Sequence, residues 1–465
     1  MTASAVRATA FLLLVVALGS GPARAQDTVI AIRNVTLIDG TGASPLKGAT
    51  LLVRGRRIDA VGPTNSTAIP AGARVIDGRG KYLIPGLTDT HVHIAWAVGQ
   101  PELEVQLGLA LAFGITGYRD AAGVGHEREL VALRSRIDSG AMLAPRLYIS
   151  GSGSPQNVPR YHANGLADLV RLLAAVGVDG IKLRNLSAVQ ADTVIAAARA
   201  AGLPAYGHTY GGAGGAPPGD YTLRAIDAGA AGTMHGLGIG PATRLAPHEL
   251  AAKEWQLGWL GLYLHWTDAS AAEEERLLRR MVETHTWLEP TLTASAFELY
   301  DEWYRGRDES RFLFSSYDST RMGFPQYAPG DMALAREGFR RMQAFVSRFQ
   351  AAGGLVLAGT DMLPWPGAGL HEELRLLVAA GLTPLEALQA ATRNAARALG
   401  WEGKTGTIAA GLDADLLLLD ADPLQDIRNT IKIWKVVRAG RVLERTTLDS
   451  LSEHAARPRS PQRVP

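Results

Sequence analysis

Eight short apolar runs, separated by Ala- and Leu-rich stretches with helical spacing, fill the middle of this 465-residue chain. They read "LIPGLTDTHVHI", "GITGYRDAAG", "PRLYISGSG", "GIKLRN", "PAYGHTY", "TMHGLG", "WLEPTLT" and "LVLAGTDM". Among and after them lie segments such as "VIAAARAAG" and "HEELRLLVAAGLTPLEALQAATRNAARALG". Strands that alternate with helices must run parallel, and eight such units close into a (β/α)8 barrel.

The text on either side has a different period. From Thr28 to Gly86, "TVIAIRNVTLIDG", "ATLLVRGRRIDAVG" and "ARVIDGRGKYLIPG" alternate apolar with polar residues and close on glycine-containing turns. The same character returns from Ile408 to Leu443. The expected fold class is therefore α/β: a TIM barrel (83–405) inserted into a small β-sandwich domain built from both chain ends (26–82 and 406–445). Residues 295 to 350 exceed what one crossover helix needs and predict a helical insertion. The last twenty residues (446–465), rich in Pro, Arg and Ser, predict a disordered tail.

Residues 1–25 carry Arg7, an apolar run from Phe11 to Leu18 and an Ala-Arg-Ala ending, the pattern of a cleaved secretory signal. The run is too short to span a bilayer, so no membrane span is expected after cleavage, and the expected location is secreted or periplasmic. Cleavage takes away two of the 47 basic side chains (Arg7, Arg24) and none of the 45 acidic ones, leaving a balanced protein. That balance argues against a nucleic-acid partner. The chain has no cysteine, so no disulfide supports the core, and a metal site must use His, Asp, Glu or Lys. A homo-oligomer is the expected assembly.

His91 and His93 alternate on the first barrel strand and so share one face. His208 and His235 stand at the ends of the fifth and sixth strands, Lys182 on the fourth and Asp361 after the eighth. Catalytic groups of such barrels gather at that end. An ammonium would be repelled by a divalent cation, but a buried lysine with a lowered pKa can add carbon dioxide and become an anionic carbamate. The alternative is a lysine that pairs with Asp361 or meets a substrate carboxylate.

Taken together, "PGLTDTHVH", "GITGYRD", "GIKL", "GHTY", "MHG", "AGTD" and "GLTPLEALQAATRNAARALG" resemble the metal-dependent amidohydrolase superfamily. Within it, the chain looks closest to the branch of Xaa-Pro dipeptidases, ochratoxin-type amidases and imidazolonepropionase-like proteins. The resemblance implies two divalent metal ions, with zinc the expected ion. His91, His93 and Asp361 would hold the first and His208 and His235 the second, with carboxylated Lys182 between them. It also implies a metal-bridging hydroxide as nucleophile and Asp361 as the group that passes its proton to the leaving amine.

His162, in "GSPQNVPRYHANG", takes the place of a loop histidine that touches substrate in such relatives, and Arg160 lies near enough in sequence to meet a carboxylate. Tyr210 resembles a substrate-binding tyrosine. An exposed loop histidine and simple packing are the respective alternatives. Arg119 and Asp120 are expected to form a supporting ion pair, while His126, His248 and His371 are read as helix-start caps or solvated residues. The expected activity is hydrolysis of amide bonds in a small-molecule or dipeptide substrate, such as dipeptides or N-acyl amino acids. A lactone, ester or cyclic imide on the same site remains open, as does a non-catalytic binding role.

Overall fold

The computed structural model describes residues 28–209, 221–236, 239, 263–300, 329–361 and 367–456. Five strands come first: β1 (Ile30–Leu37), β2 (Leu46–Arg54), β3 (Arg57–Pro63), β4 (Arg74–Asp77) and β5 (Tyr82–Pro85). The barrel strands follow: β6 (Leu87–Val92), β7 (Ile115–Asp120), β8 (Arg146–Ser152), β9 (Gly180–Leu183), β10 (Ala205–Gly207), β11 (Gly232–Met234) and β12 (Trp287–Glu289). These seven form one parallel sheet in chain order. Helices between successive strands cover it with an apolar core, as parallel strands require.

The eighth expected strand is not a regular ladder; it makes one bridge, Leu288 to Val356. Residues 355–361 nevertheless span the gap. Leu355 and Leu357 exchange backbone hydrogen bonds with Leu288, Ala358 accepts from Thr90, and Asp361 donates to the His91 carbonyl. Asp89 staples the seam by accepting from the Thr360 amide and hydroxyl at 3.0 and 2.8 Å. The segment changes partner midway, which explains why no continuous ladder forms.

β13 (Leu416–Leu419), β14 (Ile433–Arg438) and β15 (Arg441–Leu443) join β1–β5 in one mixed sheet, ordered β15-β14-β13-β5-β1-β2-β3 with β4 on β1. The β-domain expected from both chain ends is thus one continuous hydrogen-bonded mixed sheet, and side chains from β1, β2, β5 and β13 meet in one cluster. β13 is buried on both faces. Leu416 and Leu418 enter that cluster, while Leu417 and Leu419 enter the barrel core, as the period of two dictates. Arg438 on β14 reaches across: its Nε donates to the Ala144 carbonyl at 2.8 Å and it pairs with buried Asp415 at 3.0 Å.

Two expectations change, and a third is described only in part. The tail begins as a helix, Arg445–Ala456, because Leu448 buries completely and Leu451 packs against the barrel core; residues 457–465 lie outside the described set. Of the 295–350 insertion, the described parts are the helices Leu292–Leu299 and Pro329–Ala351. The second change concerns His371, which is neither a cap nor solvated. It is buried in the helix Ala368–Ala379, where Nε2–H donates to the Phe113 carbonyl at 2.9 Å and Nδ1 lies 2.9 Å from the Thr430 hydroxyl. His248 lies outside the described residues, and His126 stands at its helix start without a side-chain cap bond.

Burial, partly opposed by the Phe113 hydrogen bond, lowers the His371 pKa to about 4. A histidine depressed in the folded state contributes stability above the unfolded pKa of about 6.5, and that contribution falls as pH drops through the folded value. Between those limits the loss amounts to roughly 3 kcal/mol at about 1.4 kcal/mol per pH unit. Denaturant titrations at pH 7 and pH 4.5 are therefore expected to show a smaller acid loss for His371→Gln than for the parent chain.

Candidate active site

The barrel brings five of the six sequence-selected ligand positions into direct contact, with His208 joined through His235. His91 is fully buried on β6, and His93 follows it. Their rings lie 5.2 Å apart, and His235, after β11, stands 4.8 Å from His91 and 5.0 Å from His208, which follows β10. His93 Nε2 lies 2.9 Å from Asp361 Oδ1, and Lys182 Nζ lies 3.2 Å from His91 Nε2. His235 and Asp361 sit in the left-handed region (φ +65° and +51°). Non-glycine residues hold that conformation only where their surroundings impose it, a condition common at functional sites.

Two glycines make the convergence possible. A methyl group at Gly207 (φ +140°) would lie 2.5 Å from the Leu183 carbonyl and 3.1 Å from Lys182 Cγ. At Gly359 it would lie 2.8 Å from the His91 Cβ and 2.8 Å from the Glu289 carboxyl carbon. The approaches of 2.5 Å at Gly207 and 2.8 Å at Gly359 are shorter than Cβ contacts allow, so β10 and the closing segment approach the site only as glycine. Behind Lys182, a capping box between Ser187 and Gln190 starts the next helix.

The electrostatics favour ligand forms of these groups. Burial, then the charge of Lys182, holds His91 and His208 well below the usual imidazole range, and burial brings His235 to about 3 against the opposing pull of Asp361. Burial lowers Lys182 to about 8, again against Asp361. For Asp361 burial acts upward, but the His93 hydrogen bond and the neighbouring histidines outweigh it and bring the carboxyl to about 2. Neutral imidazoles beside an ionised carboxylate are the protonation states that bind a divalent cation.

The tautomers agree with that fit. His91 Nδ1 is 2.6 Å from Glu289 Oε1, so Nδ1–H donates and leaves the Nε2 lone pair facing Lys182 and Asp361. His235 Nδ1 is 2.7 Å from the Thr291 hydroxyl, while its Nε2 meets His208 Nε2 at 3.1 Å. One nitrogen each from His91 and His235 and one oxygen of Asp361 lie within 4.8 Å of one another. A set of imidazole and carboxylate donors suits zinc or a similar ion.

Glu289 is the residue that sequence reasoning missed. It is completely buried; its Oε2 accepts from the Thr90 hydroxyl at 2.5 Å and from Arg119 at 2.6 Å. Arg119 in turn lies over Tyr206 and Trp287, 4.7 and 5.1 Å from the ring centroids. The available signal was an acid at the end of an otherwise apolar barrel strand, "WLE". Arg119 therefore does not pair with Asp120. Neighbouring strand residues face opposite ways, and Asp120 accepts from the Ala95 amide at 3.0 Å instead.

The substrate-residue expectations fare differently. His162 (φ +51°) and Arg160 are exposed, and the Arg160 guanidinium donates to the Val124 carbonyl. Neither touches the ligand cluster. Tyr210 lies outside the described residues.

Because Glu289 holds Nδ1 of His91 and leaves Nε2 free to face the cluster, its loss should act on affinity for a divalent ion. Glu289→Gln is expected to weaken divalent-metal binding by about 10–100-fold, measured by competition with a chromogenic chelator. Unchanged affinity would make Glu289 a packing residue only.

The amidohydrolase family profile matches residues 335–443. A dihydroorotase from Pelotomaculum thermopropionicum is 26% identical over 89% of this chain and 95% of its own length. An ochratoxinase from Aspergillus niger is 26% identical over 84% of this chain and 81% of its own. Two solved structures share the fold at 20% identity. A Xaa-Pro dipeptidase with methionine bound in its active site has a TM-score of 0.64 over 90% of this chain and 100% of the other. A molinate hydrolase has 0.65 over 95% of this chain and 100% of the other. With the parallel barrel and its accompanying β-domain, these matches make the chain similar to amidohydrolases: in sequence to the family profile over residues 335–443, and to relatives over most of its length.

Proposed function

We propose that the chain is an exported, metal-dependent hydrolase of C–N bonds that cleaves the amide bond of dipeptides or N-acyl amino acids. The observation that carries this reading is the convergence of four histidines, Lys182 and Asp361 at the C-terminal end of the barrel. His91, His93 and Asp361 would hold one ion, and His208 and His235 a second. Bound divalent ions would polarise the scissile carbonyl and acidify the attacking water.

The chain's own groups supply the proton traffic and the anionic bridge. Asp361 is ionised at neutral pH, so it can accept the proton of the attacking water and deliver it to the leaving nitrogen as the C–N bond breaks. Lys182 is buried and its amine is shifted toward the neutral form. The neutral amine adds carbon dioxide with loss of one proton, giving the carbamate that would sit between the two ions. The names of the ochratoxinase and the Xaa-Pro dipeptidase support amide substrates bearing an amino-acid moiety. A second reading, opening of a cyclic imide or lactone, draws on the dihydroorotase match. The N-terminal sequence pattern supports export.

Zinc-loaded protein assayed on Xaa-Pro and other dipeptides, N-acyl amino acids, cyclic imides and lactones tests the assignment. Linear amides are expected to be cleaved, ring substrates alone would favour the second reading, and no turnover in any class would overturn both. Asp361→Asn is expected to lower kcat by about 10²–10⁴-fold. Reconstitution of metal-free protein should need added bicarbonate, and Lys182→Arg should stay inactive, because a guanidinium remains cationic. Full activity of Lys182→Arg would exclude the carbamate.

A further inference from the structure

At the barrel end opposite the ligands, two hairpin turns of the β-domain meet back to back. One is Arg54-Gly55-Arg56-Arg57 between β2 and β3; the other is Arg438-Ala439-Gly440-Arg441 between β14 and β15. They abut so closely that a methyl group at Gly440 would lie 1.8 Å from the Gly55 carbonyl oxygen. Together with residues 137–144, which lead into the N-terminal end of β8, they enclose a groove of about 770 Å³. That volume falls within the range of small-molecule sites.

Five arginines line this groove, and among the described residues no acidic side chain does. Arg54 is offset by Asp59 at 3.0 Å, and buried Arg438 by Asp415 at 3.0 Å. Arg56 donates to the Asp138 main-chain carbonyl at 2.9 Å, which leaves its charge without a carboxylate. The side chains of Arg57 and Arg441 are exposed and make no hydrogen bond or ion pair among the described residues, although their backbones pair within the sheet. Three positive charges without a carboxylate are thus gathered by two separate turns at one concave surface. Guanidinium groups bind phosphate oxygens in paired hydrogen bonds, so the chemistry matched here is a phosphate group.

We propose that the groove between the β2–β3 and β14–β15 turns is a binding site for a phosphate-bearing ligand, held by Arg56, Arg57 and Arg441 and separate from the hydrolytic centre. Such a site adds a ligand contact to the β-domain, on the far side of the barrel from any substrate.

Calorimetric titration of the full-length, metal-loaded protein with inorganic phosphate tests it, with Arg57→Gln/Arg441→Gln as the reference because its metal ligands are untouched. The double variant is expected to bind phosphate about tenfold or more weakly, the effect of losing one or two charge-assisted hydrogen bonds, with hydrolytic activity unchanged. Equal affinity in the two proteins, or no binding to the parent chain, would overturn the proposal. Vesicles of phosphatidylglycerol, with phosphatidylcholine as control, separate the sources. Sedimentation with phosphatidylglycerol alone, lost in the double variant, assigns the phosphate to a lipid headgroup. Phosphate binding without sedimentation assigns it to a soluble ligand.

Discussion

Everything in the site depends on how the parallel sheet is closed. Seven strands leave a gap between β12 and β6, and residues 355–361 bridge it with backbone hydrogen bonds to Leu288, Thr90 and His91. The bridge ends on Asp361, whose amide donates to the His91 carbonyl. The last expected ligand is therefore registered on the first by main-chain geometry, before any side-chain contact. Gly359 and the Asp89–Thr360 hydrogen bonds hold that register. A slip of one residue would turn Asp361 away from His93.

The same seam buries a charge relay. Glu289 ends β12 beside it and joins His91 to Thr90 and Arg119, and Arg119 lies against Tyr206 and Trp287. Removing a charge from water costs several kcal/mol unless it is paired and hydrogen-bonded. Here the pairing is supplied from four different strands. The arrangement stabilises one tautomer of His91, so the interior of the barrel sets the chemistry of its rim.

The strands and the residues that converge at their ends were legible because both follow local rules: a period of two, and the tendency of functional groups to stand at strand ends. His91 and His93 declare their common face within three residues. Glu289 does not, since its meaning lies in partners 198 and 170 residues away. His371 resembles an ordinary helix-start residue until Phe113 and Thr430 close around it, 258 and 59 residues distant. The helix after β15 was hidden for a related reason. Its composition is that of a solvated segment, and it is its packing against the helix Glu102–Ala112 that orders it.

β13 supplies leucines alternately to two cores, and it also sits between β5 and β14. During synthesis, β5 therefore waits with one open edge while more than three hundred residues emerge behind it. Neither core can be completed until residues 416–419 leave the ribosome. The order of events is written into the connectivity: the first sheet to begin is the last to finish. A chain cut short before that point would carry an unpaired strand edge and two unfilled apolar surfaces, the features from which aggregation starts.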